Sequence, residues 1–179
     1  MNILRIVAIG TALLIVGGCA DGDDMLGPTA PALHAPELAA SAAQRIQTSG
    51  EFDAIVDFST LTLTPRGSNC LLQVEGQLVF TGTIQGAAIG QTSALVFAPC
   101  ADVVASPPGT YPDRFKSELV FEGTVDGEPA RGNVLYMGRV QPGGAIEGRL
   151  VFSDGVQGRL EVDAVVAVGG DYSGSVVVN

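Results

Sequence analysis

The chain has 179 residues, with 24 glycines, 10 prolines and no tryptophan, which suits one folded domain and a leader rather than two domains. Its formal net charge is −10. Because like charges repel, we expect no nucleic-acid partner and no contact of the folded domain with an anionic membrane surface.

Residues 1–18 are typical of a signal peptide. The single positive residue Arg5 precedes an apolar run, 6–16, which is shorter than the roughly 20 residues that a membrane-spanning helix needs. Residues 16–19, VGGC, resemble a bacterial lipobox, in which the cysteine is acylated and begins the mature protein. We therefore predict lipidation at Cys19 and, through it, a membrane anchor. The alternative is an ordinary secretory signal in which Cys19 merely lies near the cleavage site.

The predicted location is the cell envelope, because the chain is exported and lipid-anchored. In bacteria with two membranes, an aspartate directly after the lipidated cysteine resembles an inner-membrane retention signal. Here that position is Ala20. We therefore expect the outer membrane if the source has two membranes.

Residues 19–49 are rich in alanine, proline, aspartate and glycine and show no strand pattern. This composition predicts a lipidated, flexible tether. The single histidine of the chain, His34, lies in this tether. We interpret it as a solvated side chain rather than as a ligand or a base.

Residues 50–179 carry a repeated strand pattern. The stretch LVFTGTIQG at 78–86 returns as LVFEGTVDG at 119–127 and in part as LVFSDG at 150–155. Each copy alternates apolar with polar or small residues and ends in glycine, as a half-buried strand entering a hairpin does. We predict an all-β domain, a single antiparallel up-and-down barrel of about eight strands, since closing a meander removes its exposed edges. The predicted strands are 51–64, 70–84, 87–99, 115–125, 130–141, 145–152, 156–168 and 171–178.

Two cysteines, Cys70 and Cys100, remain once Cys19 is lipidated. A three-residue hairpin loop at 84–86 would place Cys70 opposite Cys100 on the neighbouring strand. Opposed residues have Cβ atoms about 4.5–5.5 Å apart, close enough for a bridge, and exported cysteines normally oxidise. We predict a Cys70–Cys100 disulfide; the alternative is two buried free thiols.

A second three-residue loop, at 153–155, would pair Leu150 with Gly158. Both strands then agree on which face is inward. The inward side chains predicted from this hairpin are Ile146, Leu150, Leu160 and Val162.

Two places disturb the apolar alternation. In the first strand the inward parity changes after Phe58, so we predict a bulge or break near Ser59. In the hairpin after Gly127, hydrophobicity favours an inward face of Val134, Tyr136 and Val140, which requires a longer turn at Pro129.

With a three-residue turn after Gly127, polar side chains would enter the barrel instead. These would be the best site candidates in the chain. The candidate polar interior comprises Arg131, Asn133, Tyr136 and Arg139.

The segments FEGTVDGEPARGNVLYMGRV (121–140), SDGVQGRL (153–160) and DYSGSV (171–176) resemble the allene oxide cyclase barrel-like group, in particular the bacterial domain of unknown function 3224. The resemblance covers about 71–178 and implies an eight-stranded barrel. It implies no function, because no catalytic residue of the plant cyclases matches a position here. The Gly-Thr-Gly segment common in relatives is replaced by residues 153–156.

We predict no catalytic residues, no metal site and no cofactor. The predicted barrel contains no histidine, and its two cysteines are expected to pair with each other. Five carboxylates fall on predicted outward faces and are interpreted as solvated: Glu118, Glu122, Glu147, Glu161 and Asp163.

The leading hypothesis is a non-catalytic envelope lipoprotein that binds a small apolar ligand or an envelope protein partner. The first alternative is a cyclase- or isomerase-type enzyme whose polar interior acts on an apolar substrate. The second alternative is a purely structural surface module.

Overall fold

The computed structural model describes residues 44–179, which form a closed antiparallel barrel of eight strands. Each strand pairs with the next in sequence, and β8 pairs with β1, so the predicted up-and-down barrel is confirmed. The strands are β1 (Arg45–Arg66), β2 (Asn69–Gly82), β3 (Ile84–Val96), β4 (Asp113–Val125), β5 (Glu128–Val140), β6 (Ala145–Ser153), β7 (Val156–Val165) and β8 (Gly169–Val178), with one short helix, α1 (Cys100–Val104).

The barrel begins earlier than the sequence pattern indicates. Strand β1 starts at Arg45, and residues 45–49, which the sequence placed in the tether, pair with β8 from Arg45 opposite Val177 to Ser49 opposite Ser173. These residues have little apolar alternation of their own. They extend β1 because they form backbone hydrogen bonds with β8. The predicted signal peptide, Cys19 and most of the tether lie outside the described residues.

The irregularity predicted near Ser59 is confirmed. The register of β1 against β2 shifts between Asp57 and Thr62. At the shift, the Ser59 backbone N–H and side-chain hydroxyl donate to Asp57 Oδ1 at 2.9 Å and 2.6 Å. The Thr60 hydroxyl accepts the Glu75 N–H at 2.9 Å, so a side chain replaces a missing ladder partner. The extra residues shift which alternate side chains of β1 point into the barrel, from even-numbered before the shift to odd-numbered after it, as a bulge does.

The predicted register of β2 against β3 is wrong. Cys70 pairs with Val96 rather than with Cys100, and Phe80 pairs with Gly86. The chain turns around Thr83, where Gly82 adopts a φ of +102°. The predicted loop would have exposed Ile84, whereas that side chain is fully buried in the barrel.

The β6–β7 register also differs from the prediction, since Leu150 pairs with Leu160 rather than with Gly158. The last ladder pair is Phe152 with Gly158, so residues 153–157 connect the paired parts of the two strands, and Asp154 and Gly155 within this connection have positive φ. Both register errors are even in length, so each strand keeps its predicted inward face. The inward set is therefore confirmed as buried: Ile146, Leu150, Leu160 and Val162.

The β4–β5 hairpin has a two-residue turn, Asp126 and Gly127, with φ of +52° and +85°. The predicted longer turn at Pro129 is wrong, because Pro129 already pairs with Thr124 inside the ladder. This short turn nevertheless directs inward the face of β5 that hydrophobicity favours. Val134, Tyr136 and Val140 are buried.

The best-packed part of the interior is an aromatic cluster of Phe52, Phe80, Phe121, Phe152 and Tyr172. Phe80 makes edge-on contacts with Phe121 and Tyr172 at centroid separations of 6.0 Å and 5.6 Å. Phe121 meets Phe152 in the same way at 5.8 Å. Such edge-to-face pairs contribute beyond the apolar area they bury. We call this cluster the aromatic floor.

Candidate functional site

Above the aromatic floor the barrel is hollow. A cavity of about 510 Å³ lies at the end of the barrel that carries the β1–β2, β3–β4, β5–β6 and β7–β8 connections, which we call the mouth. The exposed side chains of Phe58 and Val104 belong to its lining, so the cavity opens to solvent. The inward residues that line it include Phe52, Val74, Leu78, Ala94, Leu119 and Ile146.

Several of the inward side chains that line the cavity are small. Ala54, Ala94, Ser117 and Ala164 line it, whereas phenylalanines occupy the corresponding layer of the floor. Each strand contributes alternate residues to the interior, so the summed side-chain volume at each level decides whether that level is filled. The small residues at these four positions leave part of the interior unfilled.

Residues 97–112, which we call the mouth loop, partly cover the opening. Helix α1 lies within this loop, and the Cys70–Cys100 disulfide joins it to β2 across a Cα–Cα distance of 4.9 Å. The predicted bridge is therefore confirmed, although Cys100 reaches Cys70 from beyond the end of β3 and not from the facing strand position.

Two further contacts hold the mouth loop. Cys70, Val96 and Ala98 form a small buried cluster against which Val103 and Tyr111 pack. On the other side of the mouth, the Gly109 carbonyl accepts the Gly143 N–H at 3.0 Å. The loop is thus attached both to β2 and to the β5–β6 turn, so it forms a fixed part of the cavity wall.

Several side chains bring polar atoms to the cavity lining, and those on the inward faces of β3, β4 and β5 are Thr92, Asp113, Ser117 and Tyr136. Thr92 and Ser117 hydrogen-bond to each other at 2.7 Å. Asp113 Oδ1 and the Tyr136 hydroxyl are buried and have no hydrogen-bond partner within residues 44–179. These two groups are therefore the unsatisfied polar atoms of the site.

Burial raises the pKa of both groups. Desolvation raises the pKa of Asp113 to about 7, because an apolar environment disfavours the carboxylate. Desolvation also raises the pKa of Tyr136, so this hydroxyl stays protonated at neutral pH. The site thus holds one carboxyl group that exchanges a proton near neutrality and one phenol that does not.

Of the candidate polar interior residues, the structure places only Tyr136 inside the barrel. Arg131, Asn133 and Arg139 are exposed on the outer surface. Asn133 Nδ2 donates to Asp154 Oδ2 at 2.6 Å in the neighbouring turn. The three polar residues do not converge with Tyr136, because the two-residue turn at 126–127 sets the opposite parity.

Sequence reasoning missed Asp113. We predicted that β4 begins at residue 115, whereas it begins at Asp113, directly after Pro112. Parity would have located this side chain, since Asp113 shares its face with Ser117, Leu119 and Phe121 when the strand is extended by two residues. We did not predict that extension because Pro112 directly precedes it and prolines usually lie outside strands.

Within residues 44–179, no group of three or more histidine, cysteine, aspartate and glutamate side chains could hold a metal ion. In the same range, no helix has the length and apolar character needed to cross a bilayer. The five carboxylates expected on outward faces are exposed: Glu118, Glu122, Glu147, Glu161 and Asp163.

No protein-family model matches the chain, and no curated protein matches it. A solved structure does resemble it: the crystal structure of a protein with unknown function from the DUF3224 family of Shewanella oneidensis MR-1. The match has a TM-score of 0.50 and 14% sequence identity, and it covers 76% of this chain and 98% of that one. This neighbour shares the barrel fold. At such low identity the likeness shows the fold alone, and it agrees with the sequence resemblance to the domain of unknown function 3224.

Proposed function

We propose that this protein is a lipid-anchored cell-envelope protein that binds a small, predominantly apolar molecule inside its barrel without transforming it. The observation that carries the proposal is the cavity of about 510 Å³. Small-molecule sites in proteins typically measure about 300–1,000 Å³ and combine an apolar lining with a few polar groups. A filled interior would have ruled out this class of ligand.

The surroundings of the mouth also suit an apolar ligand. Phe58, Val104 and Val165 line the cavity and are 54%, 70% and 47% exposed. Exposed apolar side chains concentrated at an opening are typical of a binding site rather than of an ordinary surface. An apolar molecule can therefore contact these apolar side chains at the mouth before it enters the barrel.

The polar composition of the cavity favours binding over catalysis. Residues 44–179 contain no histidine, and both cysteines of this range form the disulfide. Of the two carboxyl groups in the lining, Glu75 is exposed and only Asp113 is enclosed, so the enclosed part of the cavity lacks the paired acid and base on which proton-transfer chemistry usually depends. The cyclase or isomerase alternative required convergence of Arg131, Asn133 and Arg139 with Tyr136, and those three side chains point outward.

The envelope location rests on the sequence, since Cys19 lies outside the described residues. Acylation at Cys19 followed by the tether 20–44 would keep the barrel near a membrane, a source of apolar molecules. A disulfide between Cys70 and Cys100 supports an oxidising compartment, because such bridges are rare in the cytosol.

Native mass spectrometry of the protein purified from its own membrane tests both parts of the proposal. We expect a chain that begins at an acylated Cys19 and carries a co-purifying small molecule that dissociates under gentle activation. The cavity-filling variant Ala94→Phe should lose this molecule, because residue 94 lines the cavity and is 5% exposed.

The matched control is Gln91→Phe, which places the same side chain on the exposed face of β3. Retention of the small molecule by Ala94→Phe, with an unchanged Tm, would show that the ligand binds elsewhere. Release of a chemically altered molecule during incubation with the purified protein would instead favour the isomerase alternative. A chain that starts at an unmodified residue would contradict the anchor.

A further inference from the structure

The inward face of β4 orders the chemistry of the cavity from its mouth inward. Asp113 begins the strand at the mouth, and Phe115, Ser117 and Leu119 follow at alternate positions, all of them in the lining. The six residue steps from Asp113 to Leu119 span roughly 20 Å along the strand, at about 3.3 Å each. The cavity is therefore long in one direction, with a carboxyl group at its outer end and apolar side chains toward its floor.

Within residues 44–179, no basic side chain forms an ion pair with Asp113. Neither of the two ion pairs found in residues 44–179, Lys116–Glu118 and Arg159–Glu161, involves it. Its neighbours Arg114 and Arg139 lie on the exposed face of the sheet. The residues paired with Asp113, Val96 and Val140, are apolar.

On the inward face of β4, Asp113 presents a hydrogen-bond acceptor that needs a donor. Asp113 Oδ1 is buried without a partner, in contrast to the Ser117 hydroxyl, which already bonds to Thr92. Rotation about χ2 of aspartate is soft and interchanges its two oxygens, so the carboxyl can turn toward a ligand in the cavity. Deeper inside, the Tyr136 hydroxyl also lacks a partner within the described residues and can donate or accept.

We propose that the ligand is an elongated amphiphile with an apolar body and a hydrogen-bond-donating head group, an amine or a hydroxyl, which binds at Asp113 in the mouth. This inference rests on the proposed function, since it names the chemical class of the molecule in the same cavity. An ammonium or hydroxyl head satisfies the buried carboxyl oxygen. A carboxylate head offers no donor and places a second negative charge beside Asp113.

Competition binding with head-group analogues tests this assignment. The full chain is saturated with the fluorescent reporter N-phenyl-1-naphthylamine at pH 8, and dodecylamine, dodecanol or dodecanoate is added below its micelle-forming concentration. We expect dodecylamine and dodecanol to displace the reporter at roughly tenfold lower concentration than dodecanoate, as one charge-assisted hydrogen bond predicts.

Substitutions at Asp113 test whether this residue causes the preference for donor head groups over a carboxylate. Asp113→Asn should reduce the difference between dodecylamine and dodecanoate to about twofold, because the amide is uncharged and both donates and accepts. Asp113→Glu keeps the charge and should keep the preference, which provides a second reading if the asparagine variant folds poorly. The control Asp163→Asn removes an exposed carboxylate from β7 and should change nothing.

The possible outcomes distinguish a failure of the donor-head assignment from a failure of the proposed binding function. Equal displacement by dodecanoate and dodecylamine, or an unchanged preference in Asp113→Asn, overturns the donor-head assignment while reporter binding still supports an apolar site. Failure of the reporter and of all three amphiphiles to bind overturns the proposed function together with this inference.

Discussion

At the scale of single residues, Asp113 places a carboxyl group in an apolar interior, and that has a consequence for stability. The unfolded chain releases this proton near the ordinary pKa of 3.8, whereas burial raises the folded-state pKa to about 7. Between these values the folded protein binds more protons than the unfolded chain. Stability must therefore fall as the pH rises through this window.

The variant Asp113→Asn removes that dependence. In the parent, Asp113 makes the free energy of unfolding fall with pH by at most about 1.4 kcal/mol per pH unit, the limit for one proton. We expect the variant to lack this contribution. At pH 8 the variant should be more stable than the parent, and near pH 4 the two should be similar. Thermal unfolding followed by circular dichroism from pH 4 to pH 8 measures this, with Asp163→Asn as the exposed control. Greater stability of the parent at pH 8 would show that the carboxylate has a partner in solution.

At the scale of elements, the mouth loop depends on one covalent link. The Cys70–Cys100 bridge closes a loop of 30 residues. It joins β2 to a segment whose only helix, α1, has five residues and no side-chain cap hydrogen bond. A helix this short contributes little stability in water, so the bridge and the small cluster around Val96 hold the loop in place.

Replacing both cysteines by serine should lower the free energy of unfolding by about 3–4 kcal/mol, as the chain-entropy model predicts for a loop of this length. Because the mouth loop lines the cavity, reporter binding should weaken as well. Urea denaturation of the oxidised protein and of the double-serine variant gives the first quantity. Finding two reactive thiols per chain in the denatured, unreduced parent would contradict the bridge.

At the scale of the whole molecule, the two ends of the barrel differ. The end opposite the mouth carries the tight β2–β3, β4–β5 and β6–β7 turns over the aromatic floor. There the Tyr172 hydroxyl of β8 accepts the buried Ile84 N–H at 2.9 Å and lies 3.0 Å from the Thr81 carbonyl. One side chain thus ties the last strand to the β2–β3 turn across the closed barrel.

Tyr172→Phe should therefore destabilise the barrel by about 1–3 kcal/mol, since it leaves the Ile84 N–H buried without an acceptor. The matched control is Tyr136→Phe, which removes a hydroxyl that has no partner within residues 44–179 and should be neutral or slightly stabilising. Urea denaturation compares the two variants. Equal losses would indicate that the Tyr136 hydroxyl also has a structural role.

Much of this architecture follows from the sequence alone. Alternation and terminal glycines predict eight strands, their inward faces and the bulge near Ser59, because burial of one face of a strand has a period of two. The disulfide is confirmed although the hairpin register that predicted it is wrong, because Cys100 lies just beyond the end of β3 and still reaches Cys70. The strands and their inward faces depend on local pattern, and an even error in register leaves them intact, as in both the β2–β3 and β6–β7 hairpins.

Only the tertiary structure decided where the site lies. The choice between an inward Tyr136 and an inward Arg131 depended on whether the turn after Val125 had two residues, and Asp113 became visible only once β4 was seen to start after Pro112. The cavity itself depends on side-chain volumes added across all eight strands, including the small residues Ala54, Ala94, Ser117 and Ala164 in its lining. A single strand cannot reveal such a sum, because its neighbours in the barrel are set by long-range pairing and not by local sequence.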